Sequence, residues 1–396
     1  MKTPTENPGG DLQAKPFVDF YKRHNISPVH QDISDLRRHY ERRSALYRHL
    51  GISPALVEGR SILEFGPGSG HNALFTTALR PRRYVLVDAN PKGLVETEAL
   101  IKTRFPDTGI HEYVDCLIEE YRSDEKFDFV FCEGVIPAQV DPAAFTRMVA
   151  AFVKPGGMVV ITCVDSVSML SETLRRLMGR VITRPGMDVQ QQVETLLPVF
   201  APHFATLGGA SRSVRDWLID AIIHPIWGSI FSINEAIDAL DDEFEIFGSS
   251  PHFIRDWRWY KALHGGAERY NEVARSAYLE SVANFIDYRV LIEPQGAEHS
   301  SRIIRLCDGI FEAMKKIENE GRTELLPQVG TDVGELAELF STCSPLTSRS
   351  LAEARDFFVQ GAASTDFGDF RSMFGRGQSY ASFIRKGLLF DADRPA

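Results

Sequence analysis

Residues 61 to 70, Ser-Ile-Leu-Glu-Phe-Gly-Pro-Gly-Ser-Gly, constrain this chain more than any other stretch. An apolar strand there carries an acid, Glu64, near its end and runs straight into three alternate glycines, Gly66, Gly68 and Gly70, with Pro67 between the first two. Glycine is needed where a strand turns sharply into a helix, because a side chain would disfavour positive φ and keep a ligand from the backbone. The amphipathic run 72–79 supplies that helix. A loop opening onto a helix N-terminus presents N–H groups and a partial positive charge, which suit a carboxylate or phosphate. The spacing therefore predicts a nucleotide-type ligand, against the plainer reading of a tight turn that binds nothing.

The following hundred residues alternate between strand-like and helix-like runs. Residues 84–87 are continuously apolar and end at Asp88-Ala89, where a carboxylate can accept both hydroxyls of a ribose. Asn90-Pro91 then caps a helix. Residues 110–115 and 127–132 read as two further strands, ending at Asp115-Cys116 and Glu133-Gly134. A helix over 142–153, the turn Lys154-Pro155-Gly156-Gly157 and a strand over 158–164 complete the run. Alternating strands and helices with short connections predict a doubly wound parallel sheet whose ligand lies at the carboxyl ends of its strands. Glu64, Asp88, Asp115 and Glu133 all fall at such ends.

Dinucleotide-binding proteins read G-x-G-x-x-G after the first strand, whereas this chain reads E-x-G-x-G-x-G. That pattern, with the later K-P-G-G turn, resembles the class I S-adenosylmethionine-dependent methyltransferases over about residues 35 to 165. The resemblance implies S-adenosyl-L-methionine as cofactor and a Rossmann-like, seven-stranded mixed sheet. It implies cofactor contacts from Glu64, Gly66, Pro67, Gly68, Gly70, Asp88 and Ala89, adenine contacts from Asp115 and Cys116, and a cofactor or catalytic role for Glu133. Residues just before the first strand often reach the cofactor in this family, which singles out Tyr40 and Arg43. The plainer reading of that helix, with Leu36, Tyr40, Tyr47 and Leu50 at helical spacing and Asp32 or Ser34 as cap, is a cover for one edge of the sheet.

Beyond Asp165 the pattern is helical, with core stripes such as Leu170, Leu174, Leu177 and Ile303, Cys307, Ile310, Met314. Two short runs interrupt it. Residues 244–247 read as a sixth, parallel strand, and 379–385 alternate as expected of a seventh, antiparallel strand half exposed at a sheet edge. The expected organisation is a lead-in and lid segment (1–34), a cofactor-binding core (35–165), a helical insertion (166–242), strand six with an active-site loop (243–261), a helical cap (262–370) and a final edge strand with tail (371–396). The two helical stretches are expected to form one cap over the carboxyl edge of the sheet.

Methyl transfer to a hydroxyl needs in-line alignment and removal of one proton. His252, following strand six, is the first candidate base, with capping of the Pro251 turn as its structural alternative; Glu133 is the second, and His224, His24 and His30 follow. Trp257, Trp259 and Tyr260 are expected in the core, with stacking on a sugar or aromatic ring as the functional alternative. A net charge of −10 argues against binding nucleic acid through its phosphates. Five scattered cysteines without a C-x-x-C pair read as reduced thiols. A polar N-terminus and the lack of a membrane-length apolar run predict a cytoplasmic protein with no membrane partner. A small-molecule acceptor, a hydroxylated metabolite or carbohydrate, is expected; no metal motif is visible and self-association is left open. An NAD-dependent oxidoreductase and a non-catalytic cofactor-binding scaffold are the rival readings.

Overall fold

The computed structural model describes residues 33–210, 212–224, 228–360 and 367–387. Candidates His24 and His30, and the lead-in around them, lie outside these residues. Seven strands form one sheet in the order β3-β2-β1-β4-β5-β7-β6. They are β1 (Ser61–Phe65), β2 (Arg83–Asp88), β3 (His111–Asp115), β4 (Phe127–Cys132), β5 (Val153–Cys163), β6 (Phe244–Ser250) and β7 (Ser379–Arg385). The first five are mutually parallel. β7 runs antiparallel to both β5 and β6, so β6 points the same way as β1. Every residue of β1 is buried, as a strand covered on both faces requires.

Helices α1 (Leu36–His49), α2 (His71–Ala78) and α3 (Pro91–Arg104) cover one face, where Tyr47, Leu74, Phe75 and Ile101 pack on Ile62, Tyr84, Leu86 and Phe131. On the other face, α4 (Pro142–Ala150) contributes Phe145 and Val149 to a larger core. That core continues without a break into the helical part of the chain: α5 (Leu170–Ile182), α6 (Val189–Phe204), α7 (Ile233–Leu240), α8 (Tyr270–Ser281), α9 (Ala297–Glu320), α10 (Leu326–Phe340) and α11 (Pro345–Gln360). Both helical stretches thus share one core with the sheet. Polar ties reinforce the join. Arg176 on α5 pairs with Glu318 on α9 at 2.8 Å, both nearly inaccessible, and the buried Arg175 guanidinium donates to the carbonyls of Phe370 and Met373 just ahead of β7. Near the carboxyl ends of β4 and β5, Ser229 donates to the Pro137 carbonyl and Phe231 bridges Val164.

Several local expectations are corrected. The Lys154–Gly157 turn lies inside β5, which starts at Val153 and absorbs it through a register shift opposite β4. β6 extends to Ser250 because Gly248 lets the end of α1 lie on the strand: a Cβ there would meet the His49 carbonyl oxygen at 2.6 Å. β7 is an interior strand between β5 and β6, not an edge. Its alternation misleads because the polar residues are satisfied internally; the Ser382 hydroxyl is buried and donates to the Leu50 carbonyl at 2.8 Å. The cap of α1 is Asp35, which accepts from the Arg38 amide, in place of Asp32 or Ser34.

Candidate cofactor and active site

The glycine loop takes the conformation that its composition requires. Gly66, Gly68 and Gly70 have φ of 72°, 58° and 78°, in the left-handed region that side chains disfavour. Space is equally restrictive: a Cβ on Gly66 would lie 2.5 Å from Val135 Cγ2, and one on Gly70 would lie 2.7 Å from Thr97. The loop is held from β2 and α3. The Gly68 amide donates to Asp88 Oδ2 at 3.2 Å, and the Thr97 hydroxyl donates to the Gly68 carbonyl at 3.0 Å. Gly70 is the N-cap of α2, so the first turn of that helix opens at the loop.

The acids stand where the strand order puts them. Asp88 also accepts from the Asn90 amide at 2.9 Å, and two such bonds leave lone pairs for a ligand. Burial pushes the Asp88 carboxyl above its ordinary range, opposed by those amide donors. Asp115 pairs with Asp88 across β2 and β3 and is exposed, with Cys116 and Ala89 partly buried beside them. Glu64 is 5% exposed and accepts from the Tyr84 hydroxyl. Burial, then the charge of Glu133, pushes its carboxyl up to about 7, while the Tyr84 bond and Arg43 pull it down.

Glu133, just past β4, is held most tightly. Its two oxygens each accept a 2.8 Å bond from the Arg43 guanidinium, and Asn72 Nδ2 donates to Oε2 at 3.1 Å. Arg43 lies on α1, its guanidinium 5.3 Å from the centre of the Tyr47 ring, and its Nε is buried without a partner. The sequence singled out Arg43 through the family resemblance but not its partner. Asn72 drew no role at all. The available signal was the spacing of His39, Arg43 and Tyr47, four residues apart on the buried stripe of α1, because a buried arginine needs an acid to meet. Tyr40, one turn earlier, packs edge-on against Phe75.

The two candidate bases are not brought together. His252 is exposed at the end of β6, its ring 5.7 Å from that of His49, which in turn bonds Ser250 Oγ at 3.2 Å. Strands β5 and β7 lie between it and the end of β4. His224 is buried after the π-helical turn Leu218–Ile223, where its carbonyl accepts from Arg176. The core placement expected for Trp257, Trp259 and Tyr260 is wrong: they are 89%, 65% and 71% exposed. Phe253 packs on Tyr278 and Phe285 instead and anchors the loop, while Arg258 ties back to Asp256 and the Glu268 carbonyl.

Residues 36–218 match a family described as a methyltransferase domain. The chain carries a class I methyltransferase domain. No curated protein sequence matches it. Among solved structures, it is similar to PKMT2 from Rickettsia typhi, at 16% identity over 57% of this chain and 46% of that one, with a TM-score of 0.38. It is also similar to the N-methyltransferase NodS from Bradyrhizobium japonicum WM9 in complex with S-adenosyl-L-homocysteine, at 16% identity over 37% and 74% with a TM-score of 0.30. An S-adenosylmethionine-dependent methyltransferase from Mesorhizobium loti gives 19% identity over 51% and 85%, with a TM-score of 0.32. The chain spans less than half the length of the Rickettsia protein.

S-adenosylmethionine is the cofactor of a class I methyltransferase domain, and the residues present fit it. Among the described residues, the strand ends carry Glu64, Asp88 and Glu133 against one guanidinium, Arg43, already committed to Glu133. Such a cradle favours a ligand with positive charge and opposes the diphosphate of a dinucleotide. Asp88 stands at the end of β2 against the loop and accepts from the Gly68 amide, and the left-handed glycines put no side chain over the loop backbone. No helix among the described residues is long and apolar enough to cross a membrane.

Proposed function

We propose that the protein transfers the methyl group of S-adenosylmethionine to a hydroxyl of a small molecule, a hydroxylated metabolite or a carbohydrate. The observation that carries the cofactor half of this reading is the excess of carboxylates around a left-handed glycine loop. S-adenosylmethionine supplies an activated methyl on a positively charged sulfur. In this reading Asp88 holds ribose hydroxyls, Asp115 and Cys116 lie beside the adenine, and Glu133, kept in place by Arg43 and Asn72, faces the cofactor's amino-acid end. The ion pair of Glu133 leaves the proton-accepting role to His252. His252 would take the proton of the acceptor hydroxyl, whose oxygen would receive the methyl group that the cofactor supplies.

The acceptor class is supported by the exposed loop after β6. Trp257, Trp259 and Tyr260 offer ring faces, and the Lys261 ammonium sits 5.4 and 5.9 Å from the Trp259 and Tyr260 ring centres, as suits a sugar with polar edges. The two helical stretches form one cap with the sheet in this reading and keep water from the acceptor. Cys116, Cys132, Cys163, Cys307 and Cys343 are free thiols, in keeping with a cytoplasmic setting.

One observation favours a second reading, a cofactor-binding scaffold without turnover: two strands, β5 and β7, separate His252 at the end of β6 from the end of β4. Incubation with methyl-labelled S-adenosylmethionine and a panel of sugars, phenols and hydroxy acids separates the two. Label in an alcohol or sugar supports the proposal, and tight cofactor binding with no label in any acceptor supports the scaffold.

A further inference from the structure

Among the described residues, no cation bonds the Glu64 carboxyl. The fork of Arg43 closes on Glu133, and among the described residues the only hydrogen-bond partner of Glu64 is the Tyr84 hydroxyl. The titratable groups facing it from the packed elements are Arg43 and Tyr47 on α1, Tyr84 and Asp88 on β2, Cys132 on β4 and Glu133 just after it. Two of these are carboxylates, one is a guanidinium already bonded, and the two phenols and the thiol are buried and neutral, with Tyr47 pushed up to about 12 and the Cys132 thiol pushed up by burial. A fully charged cluster would hold three negative charges against one positive charge in a buried space. A proton on Glu64 relieves that excess, and so does a cation arriving in the cradle above it.

We propose that Glu64 is a specificity-determining residue that favours the sulfonium cofactor over its neutral thioether product by giving up a proton when the positive charge arrives. This rests on the reading that S-adenosylmethionine occupies the glycine loop. The burial that holds the group near 7 places the exchange in the neutral range. A nearby opposite charge favours the ionised carboxyl, so binding the sulfonium releases a proton from Glu64. The thioether brings no such charge, and Glu64 keeps its proton. Loss of the methyl therefore leaves an uncompensated carboxylate that takes a proton back from solvent while the thioether is still bound. The amino and carboxyl groups of the two ligands are shared, so their own exchange with the cluster is common to both.

The test is titration calorimetry of S-adenosylmethionine and S-adenosylhomocysteine in phosphate and in Tris, whose different ionisation enthalpies report the protons released. Wild type is compared with Glu64→Gln, which keeps the acceptor for Tyr84 and cannot ionise. At pH 7 the wild type is expected to release more protons with the sulfonium than with the thioether, and the variant is expected to lose that excess. The affinity ratio of the two ligands should rise up to about ten-fold from pH 6 to pH 8 in wild type and stay flat in the variant. If the variant does not fold, Tyr84→Phe serves: removing the donor that favours ionisation should move the midpoint of the wild-type pH dependence upward. Equal proton release by both ligands, or a pH-independent ratio in wild type, overturns the proposal and leaves the cofactor reading standing. Failure of wild type to bind either ligand overturns the cofactor reading itself.

Discussion

The Arg43 guanidinium closes on the Glu133 carboxylate through two bonds of 2.8 Å each, and the side chains of both are 8% exposed. The pair joins α1, which precedes the sheet, to the end of β4 at its centre. Such bidentate geometry fixes orientation as well as charge. It also puts a cost on removing either partner, because the survivor is left buried and charged.

Arg43→Ala is therefore expected to destabilise the protein by about 3–5 kcal/mol, the range for breaking a buried pair. Adding Glu133→Gln should recover part of the loss, since the double variant buries no unpaired charge. Denaturant midpoints for the two single variants and the double variant measure the coupling; strictly additive losses would show that the pair does not act as a unit.

The raised carboxyl of Glu64 sets a stability dependence with a definite sign. With a folded value of about 7 against an ordinary 4.5, the folded state holds the proton and the unfolded state has lost it between these limits. The contribution is fully present below pH 4.5 and is lost as pH rises to about 7. Glu64→Gln should then match wild type near pH 4 and exceed it by about 3 kcal/mol near pH 8, because each tenfold change in proton affinity is worth about 1.4 kcal/mol. A gain of the same size at both pH values would contradict the assignment.

Gly68→Val places a branched side chain at φ 58° on the backbone that Asp88 braces. Cofactor binding should be abolished while the circular dichroism spectrum is kept. Asp88→Ala should weaken binding by about 1–3 kcal/mol if its free lone pairs hold ribose hydroxyls in a largely buried site. Calorimetric affinities read both effects, and unchanged affinity in Gly68→Val would remove the loop from the site.

His252→Ala tests the acid–base half of the proposal. Turnover with an accepted substrate should fall about 10²–10⁴-fold, the range for a lost general base, with cofactor affinity unchanged. Because the ring is exposed, no loss of thermal stability is expected. Full activity in this variant would return the proton to water or to the acceptor's own chemistry.

The sheet was legible because periodicity and punctuation agreed. Apolar runs ended in acids, and the chain began helices at Gly70, Asn90 and Asp141 where caps stood ready. Legibility failed where a tertiary contact replaced solvent. The serines of β7 read as surface, yet the Ser382 hydroxyl is satisfied by the Leu50 carbonyl more than three hundred residues away. The exposed rings of residues 257–260 failed in the opposite sense, because composition alone places tryptophan inside. The Arg43–Glu133 pair spans ninety residues of sequence, so the helical spacing of His39, Arg43 and Tyr47 marks a buried arginine without naming its partner.

We propose that the glycine loop and its carboxylates select a sulfonium-bearing nucleoside over a dinucleotide. Titration calorimetry of the full chain against S-adenosylmethionine and against NAD, at one pH and ionic strength, tests that selection directly. Saturable binding of S-adenosylmethionine at one site per chain, lost in Gly68→Val, is expected, with no measurable heat from NAD. Equal or tighter binding of NAD, or no binding of S-adenosylmethionine, would contradict it.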